Sequence, residues 1–206
     1  MTVNITQGVL FDLDGTLLDT ADDLGAALNY VLAKHGLPQV ERDIFRPIAS
    51  DGAKGLLTLG FADKLAQFDY DSLRDEFLTY YQQHLADNTC LYPGVKQLID
   101  ILNHKQIPWG IVTNKPENLT LALLPHFPEL ADCQVIVGGD TLPTRKPDPE
   151  PLFYAAQQLS VEPNSCLYIG DAMRDIEAGN SALMTTIVAA WGYIKANDNI
   201  HQWHAD

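Results

Sequence analysis

Two aspartates one residue apart, Asp12 and Asp14, follow the apolar run Gly8-Val9-Leu10-Phe11 and precede Gly15-Thr16. The run reads as a buried strand, and Gly15 marks its break into a loop. In an open α/β sheet, chemistry sits just beyond the carboxyl ends of strands. Strand alternation points the two carboxylates the same way. Like charges that close repel unless a cation or a proton offsets them. The pair therefore points to a divalent metal site, or to a nucleophile beside an acid/base group.

Three further strand ends carry polar side chains. Ile111-Val112 leads into Thr113-Asn114-Lys115-Pro116, and the strand 134–139 is followed by the loop with Lys146-Pro147-Asp148-Pro149. Cys166-Leu167-Tyr168-Ile169 ends at Gly170-Asp171, with Asp175 four residues on. Singly, each has an ordinary explanation. Asp171 and Asp175 suit helix N-caps, Thr113 suits a turn, and Lys146 suits solvent. Together they occupy the edge where one sheet would make them converge. Carboxylates from Asp12 and Asp171, a backbone carbonyl and waters form the hard oxygen shell that magnesium prefers. With the acidic charge so offset, Asp12 can attack phosphorus and form an aspartyl-phosphate. The phosphoryl oxygens would be held by the Thr113 hydroxyl, backbone amides and the Lys146 ammonium, a set spread over Leu13, Thr113, Asn114 and Lys146. Asp14 is then free to protonate the leaving group and later take a proton from water.

The elements that must hold these groups alternate. Helical spacing appears at Leu24, Ala27, Leu28, Val31 and Leu32, with a stop at Gly36 and a start capped by Asp19 or Thr20. Shorter helices are predicted over 41–48 and from Ser50-Asp51-Gly52 through Leu59, and a long one from Leu73 to about Asn88. No strand is predicted between 18 and 89. From Pro93 onward helices and strands alternate, with helices over 93–105, through Leu119 and Leu123, from Leu152 to Leu159 and over 174–181, and a last strand over 185–189. Alternation of this kind builds a parallel sheet with right-handed crossovers. The fold class is α/β: a Rossmann-like doubly wound core from residues 1–17 and 90–206, with an all-helical cap, 18–89, inserted after the first strand. A lid in that place can close over a substrate and exclude water.

Composition sets the frame. The 206 residues are 46% hydrophobic, enough for one large domain with a smaller insert. A net charge of −14 repels nucleic acid and anionic membrane, so neither is expected as a partner. It repels phosphates too, so a phosphate site needs a metal and local lysines. Cys90, Cys133 and Cys166 are odd in number and lack CxxC spacing, as in thiols of a reducing compartment. No leader-like start and no membrane-length apolar run is found, so a cytoplasmic protein is expected.

With these residues in hand the chain resembles the haloacid dehalogenase superfamily over nearly its whole length. Asp12-Leu13-Asp14-Gly15-Thr16, Ile111-Val112-Thr113-Asn114, Lys146-Pro147-Asp148-Pro149 and Gly170-Asp171 with Asp175 match its four motifs in order. The resemblance implies Asp12 as nucleophile and Asp14 as acid/base group. It implies Mg2+ on Asp12, the Asp14 carbonyl and Asp171, with Asp175 supporting from behind, and phosphate on Thr113 and Lys146. Dehalogenases of this family lack an aspartate at the position of Asp14, and β-phosphoglucomutases carry a histidine at the position of Leu24. The motifs look most like the phosphoglycolate phosphatase branch, with features shared by N-acetylmuramic acid 6-phosphate phosphatases. The expected function is magnesium-dependent hydrolysis of a small phosphorylated metabolite, by a monomer or homodimer. A sugar-acid phosphatase, a phosphomutase or a non-catalytic binding protein are the alternatives, and the complete catalytic set argues against the last. Specificity is expected in the cap, where Arg46 or Lys54 would meet a distal carboxylate or hydroxyls. Asp51 departs from the small or neutral residue usual in this branch.

Overall fold

The computed structural model describes residues 6–206. Five strands form one parallel sheet: β1 (Gly8–Phe11), β4 (Trp109–Val112), β5 (Val135–Val137), β6 (Cys166–Gly170) and β7 (Thr185–Val188). Their spatial order is β5-β4-β1-β6-β7, so the winding reverses on either side of β1. That reversal opens a crevice at the carboxyl end of β1, where Asp12 begins. Register aligns Phe11 with Ile111 on one side and with Ile169 on the other.

Strand alternation divides the core in two. Val9, Phe11, Trp109, Ile111 and Ile169 face one side, with α5 (Val95–His104) and α6 (Glu117–Leu123). Leu10, Val112 and Tyr168 face the other, with α7 (Glu150–Gln158) and α8 (Met173–Ser181). Both faces are covered, which explains strands that are apolar throughout rather than alternating.

Between β1 and α5 lie α1 (Ala21–Lys34), α2 (Arg42–Phe45), α3 (Gly52–Phe61) and α4 (Tyr70–Gln83). Leu24, Leu28, Leu32, Phe61, Phe77 and Tyr81 bury their apolar faces in one cluster continuous with the first face of the sheet. Gly25 permits the close packing of α1 on α2, because a Cβ there would strike the Phe45 ring. The segment Arg46–Asp51 continues α2 as a tight 3-10 helix, rather than the single helix predicted over 41–48. The helix expected to reach Asn88 ends at Gln83. Among the described residues no helix is long and apolar enough to cross a membrane.

The expectation of no strand between 18 and 89 requires correction. Leu18–Asp19 (β2) pairs antiparallel with Cys90–Leu91 (β3), tying the two connections to the helical block into one ribbon. Two-residue strands carry no periodicity to read. Nor does Thr20 cap α1 with its side chain; its hydroxyl donates to Asp14 at 2.7 Å. Asp23 fastens the ribbon. Its buried carboxylate accepts the Asn88 and Thr89 backbone N–H groups at 3.0 and 2.9 Å and the Thr89 hydroxyl at 2.7 Å. Replacing Asp23 with Ala orphans two backbone donors, so Asp23→Ala is expected to lower unfolding free energy by at least about 2 kcal/mol. Urea denaturation measures this, and a loss under about 0.5 kcal/mol would contradict the role.

Candidate active site

Asp12 follows β1 directly and is buried. Its Oδ1 accepts the Leu13 N–H at 2.7 Å and lies 2.9 Å from Lys146 Nζ. Lys146, almost fully buried, also pairs with Asp175 Oδ1 at 2.7 Å, donates to the Val112 carbonyl at 2.9 Å and meets the Tyr168 hydroxyl at 2.8 Å. Asn114 Nδ2 donates to the Lys146 carbonyl at 2.9 Å, which anchors the lysine's loop to the end of β4. Asp175 Oδ2 accepts the Ala172 N–H at 2.9 Å and so closes the first turn of α8.

Asp171, at the end of β6, accepts the Tyr193 N–H at 2.8 Å and the Ser50 hydroxyl at 3.0 Å. Gly15 sits against it with φ +87, where a Cβ would strike the Asp171 carboxylate. Glycine is thus required twice over at this turn. Carboxylate oxygens of Asp12, Asp171 and Asp175 lie within 4.8 Å of one another, all from buried residues. Burial pushes the Asp171 carboxyl up to about 7, reinforced by Asp12 and then Asp175. Burial also raises Asp12, against the pull of Lys146. The trio therefore holds more negative charge than the neighbouring cations offset. All its donors are oxygens, and hard divalent cations such as Mg2+ prefer that set. The residues fit such an ion.

Asp12 opens onto a cavity of about 800 Å³. Asp12, Asp14, Thr113, Asn114, Lys146 and Lys54 line it; Leu13, Arg46, Asp171 and Asp175 do not. Arg46, predicted to reach substrate, instead pairs with Asp19 at 2.7 Å and lies over the Tyr193 ring at 5.2 Å. An arginine in a cap sequence gives no sign that an acid 27 positions earlier will take it. The Leu13 amide is aimed at the Asp12 carboxylate. Thr113 accepts the Lys115 N–H at 3.2 Å.

Six cations line the cavity, namely Lys54, Arg74, Lys115, Arg145, Lys146 and Arg174, against three acids, Asp12, Asp14 and Asp51. Of the chain's 13 Lys and Arg, nearly half thus meet in one place on a protein of net charge −14. Among the described residues Lys54, Arg74 and Arg145 have no acidic partner. Sequence reasoning singled out neither Arg74 nor Lys115, because spacing alone cannot say which exposed-looking cations share a wall.

The family model for haloacid dehalogenase-like hydrolases matches residues 9–189, and the chain belongs to this family. It is 42% identical over 202 residues to a phosphoglycolate phosphatase of Xanthomonas campestris pv. campestris, covering 97% of this chain and 90% of that one. It is 39% identical over 200 residues to an N-acetylmuramic acid 6-phosphate phosphatase of Pseudomonas aeruginosa, covering 97% and 88%. The crystal structure of a predicted phosphoglycolate phosphatase from Haemophilus somnus 129PT superposes with a TM-score of 0.88 at 29% identity, covering 100% of this chain and 94% of that one. The chain is an enzyme of the phosphatase class within this family.

The raised Asp171 carboxyl sets a pH dependence. A carboxyl whose folded pKa exceeds its unfolded value favours the fold while protonated, and that contribution is lost as pH climbs through about 7. A divalent cation held by these carboxylates would replace the proton. Magnesium at about 100 Kd should add about 2.7 kcal/mol, or about 5–10 °C in Tm. The gain in EDTA-treated protein is expected at pH 8 and should largely vanish at pH 5. An equal gain at both values would contradict the carboxylate site.

Proposed function

We propose that this enzyme is a magnesium-dependent phosphomonoesterase acting through an aspartyl-phosphate, on a small phosphorylated metabolite with a second acidic group. The observation that carries the reading is the excess of cations around Asp12 in one cavity of an otherwise acidic protein. A doubly anionic ester is the ligand class that such a wall attracts. Residues 18–89 act as the lid that covers it and residues 1–17 and 90–206 as the catalytic core.

Asp12 attacks phosphorus as the ester P–O bond breaks, while Asp14 gives its proton to the departing oxygen. Lys146 holds the Asp12 carboxylate in place, and with Thr113 and the amides near Leu13 and Asn114 it faces the phosphoryl oxygens. Water then attacks phosphorus while Asp14 takes its proton, the bond from phosphorus to Asp12 breaks, and inorganic phosphate leaves with the Asp12 carboxylate restored. Asp12, Asp171 and the Asp14 carbonyl would hold Mg2+, which would supply positive charge to offset that of the nucleophile and phosphoryl group. Asp175 acts from behind by fixing Lys146.

A phosphoglycolate-like acid meets these demands, as the name of the Xanthomonas relative suggests. The cavity volume favours a second reading. Some 800 Å³ walled by Leu24, Ile48, Leu59, Phe77 and Leu119 is in the range that encloses ligands well above two carbons. A phosphorylated sugar acid, the substrate class in the Pseudomonas relative's name, fills it better.

Phosphate release from phosphoglycolate, phosphorylated sugar acids, neutral sugar phosphates and nucleotides, with and without magnesium, separates these readings by kcat/KM. Asp12→Asn is expected to lower the rate by at least about three orders of magnitude with the fold intact. Surviving activity would remove Asp12 as nucleophile. Lys54→Ala and Arg74→Ala should each raise KM about tenfold for the acidic substrate, at about 1.4 kcal/mol per contact, and spare a neutral one. Equal effects on both would sink the assignment of these cations to the distal acid.

A further inference from the structure

Lys115 lies outside the four motifs, yet its side chain is 4% exposed. Its Nζ is 3.0 Å from Asp14 Oδ1 and 3.4 Å from Oδ2, and it donates to the Tyr81 hydroxyl at 2.7 Å. It also sits 4.5 Å from the centre of the Tyr81 ring. Burial works against the ammonium, but Asp14 and then Tyr81 more than restore it, so the lysine stays charged. Thr20 donates to the same Asp14 Oδ1 at 2.7 Å. Oδ1 is therefore gripped from two sides, while Oδ2 has only the longer Lys115 contact. A half-buried carboxylate without such a grip would be free to rotate its two oxygens. Tyr81 belongs to α4, in the helical block, whereas Asp14 and Lys115 belong to the ends of β1 and β4.

We infer that Lys115 is a positioning residue for Asp14, fixing Oδ1 so that Oδ2 transfers the proton, and that Tyr81 completes this grip from the lid. The inference rests on the reading of Asp14 as the acid/base group. It makes the geometry of proton transfer depend on α4 lying over the sheet, so that the acid is assembled only beneath the lid.

A double-mutant cycle with two leaving groups tests it. The substrates are p-nitrophenyl phosphate, whose leaving group needs little protonation, and phosphoglycolate, whose alkoxide needs much. Asp14→Asn is expected to lower kcat on the alkyl ester about a hundredfold more than on the aryl ester. Lys115→Met should lower the alkyl-to-aryl ratio about tenfold in the parent but less than about twofold in the Asp14→Asn background, since a group acting only through Asp14 has nothing left to act on. Tyr81→Phe keeps the ring in the core and should lower the same ratio about threefold, again only while Asp14 is present. This variant decides the matter if Lys115→Met does not fold. Equal losses with and without Asp14 overturn the inference, as does a rise in KM with kcat unchanged, which would make Lys115 a substrate contact. Should Asp14→Asn itself show no leaving-group bias, the acid/base reading fails first and removes the inference with it.

Discussion

The site depends on one buried ammonium. Parallel pairing at the crevice beside β1 brings Asp12, Asp171 and Asp175 together in a place with little water. Three carboxylates there repel strongly, and a buried charge without a partner costs several kcal/mol or more. Lys146 answers with bonds to Asp12, Asp175, the Val112 carbonyl and Tyr168. Tyr168 supports this arrangement as a neutral phenol, because burial and the nearby Asp175 and Asp12 hold its proton on. Asn114 in turn fixes the Lys146 backbone. Lys146, Asp175, Tyr168 and Asn114 thus form one chain of contacts that holds the Asp12 carboxylate in a defined orientation.

The helical block is joined to the sheet by polar contacts near the same site. Ser50 reaches Asp171, Arg174 donates to the Ser50 carbonyl at 2.7 Å, and Asp51 pairs with Lys195 at 2.7 Å and Arg174 at 3.5 Å. This explains the acidic residue at position 51, where the branch usually has a small or neutral one: its partners are core cations. Exposed pairs of this sort contribute roughly 0–1 kcal/mol each. They orient the block without locking it. Behind them Arg46, Asp19, Tyr193 and Thr20 form a second polar chain that ends on Asp14.

What the sequence made legible follows the range of the signals. Strands of four or five apolar residues ending in Asp12, Thr113 and Asp171 could be placed to within a residue or two, because each is bounded by a glycine or a turn. The order of the motifs brought Asp12, Thr113, Lys146 and Asp171 to one edge before any coordinates. The ribbon β2–β3 was illegible, since two residues form no pattern. Arg46 misled because a cation's partner is set by tertiary packing. Lys115 sits in a turn by sequence, and although Tyr81 lies only 34 positions before it, nothing local marks a lysine that will be buried. Thr20 looked like an N-cap by type, and its hydroxyl found a stronger, charged acceptor instead.

The charge layout resolves the apparent conflict between an acidic protein and an anionic substrate. Repulsion from the surface at a net charge of −14 is largely screened beyond about 8 Å at physiological ionic strength. Inside the cavity a phosphorylated ligand meets a wall on which cations outnumber acids two to one. The low-dielectric floor strengthens this local field. Binding is therefore governed by the cavity rather than by the whole molecule. Only a ligand small enough to enter the cavity reaches its positive interior. Discrimination by size and by charge thus arise from the same distribution of thirteen basic residues, nearly half of them drawn into one cavity.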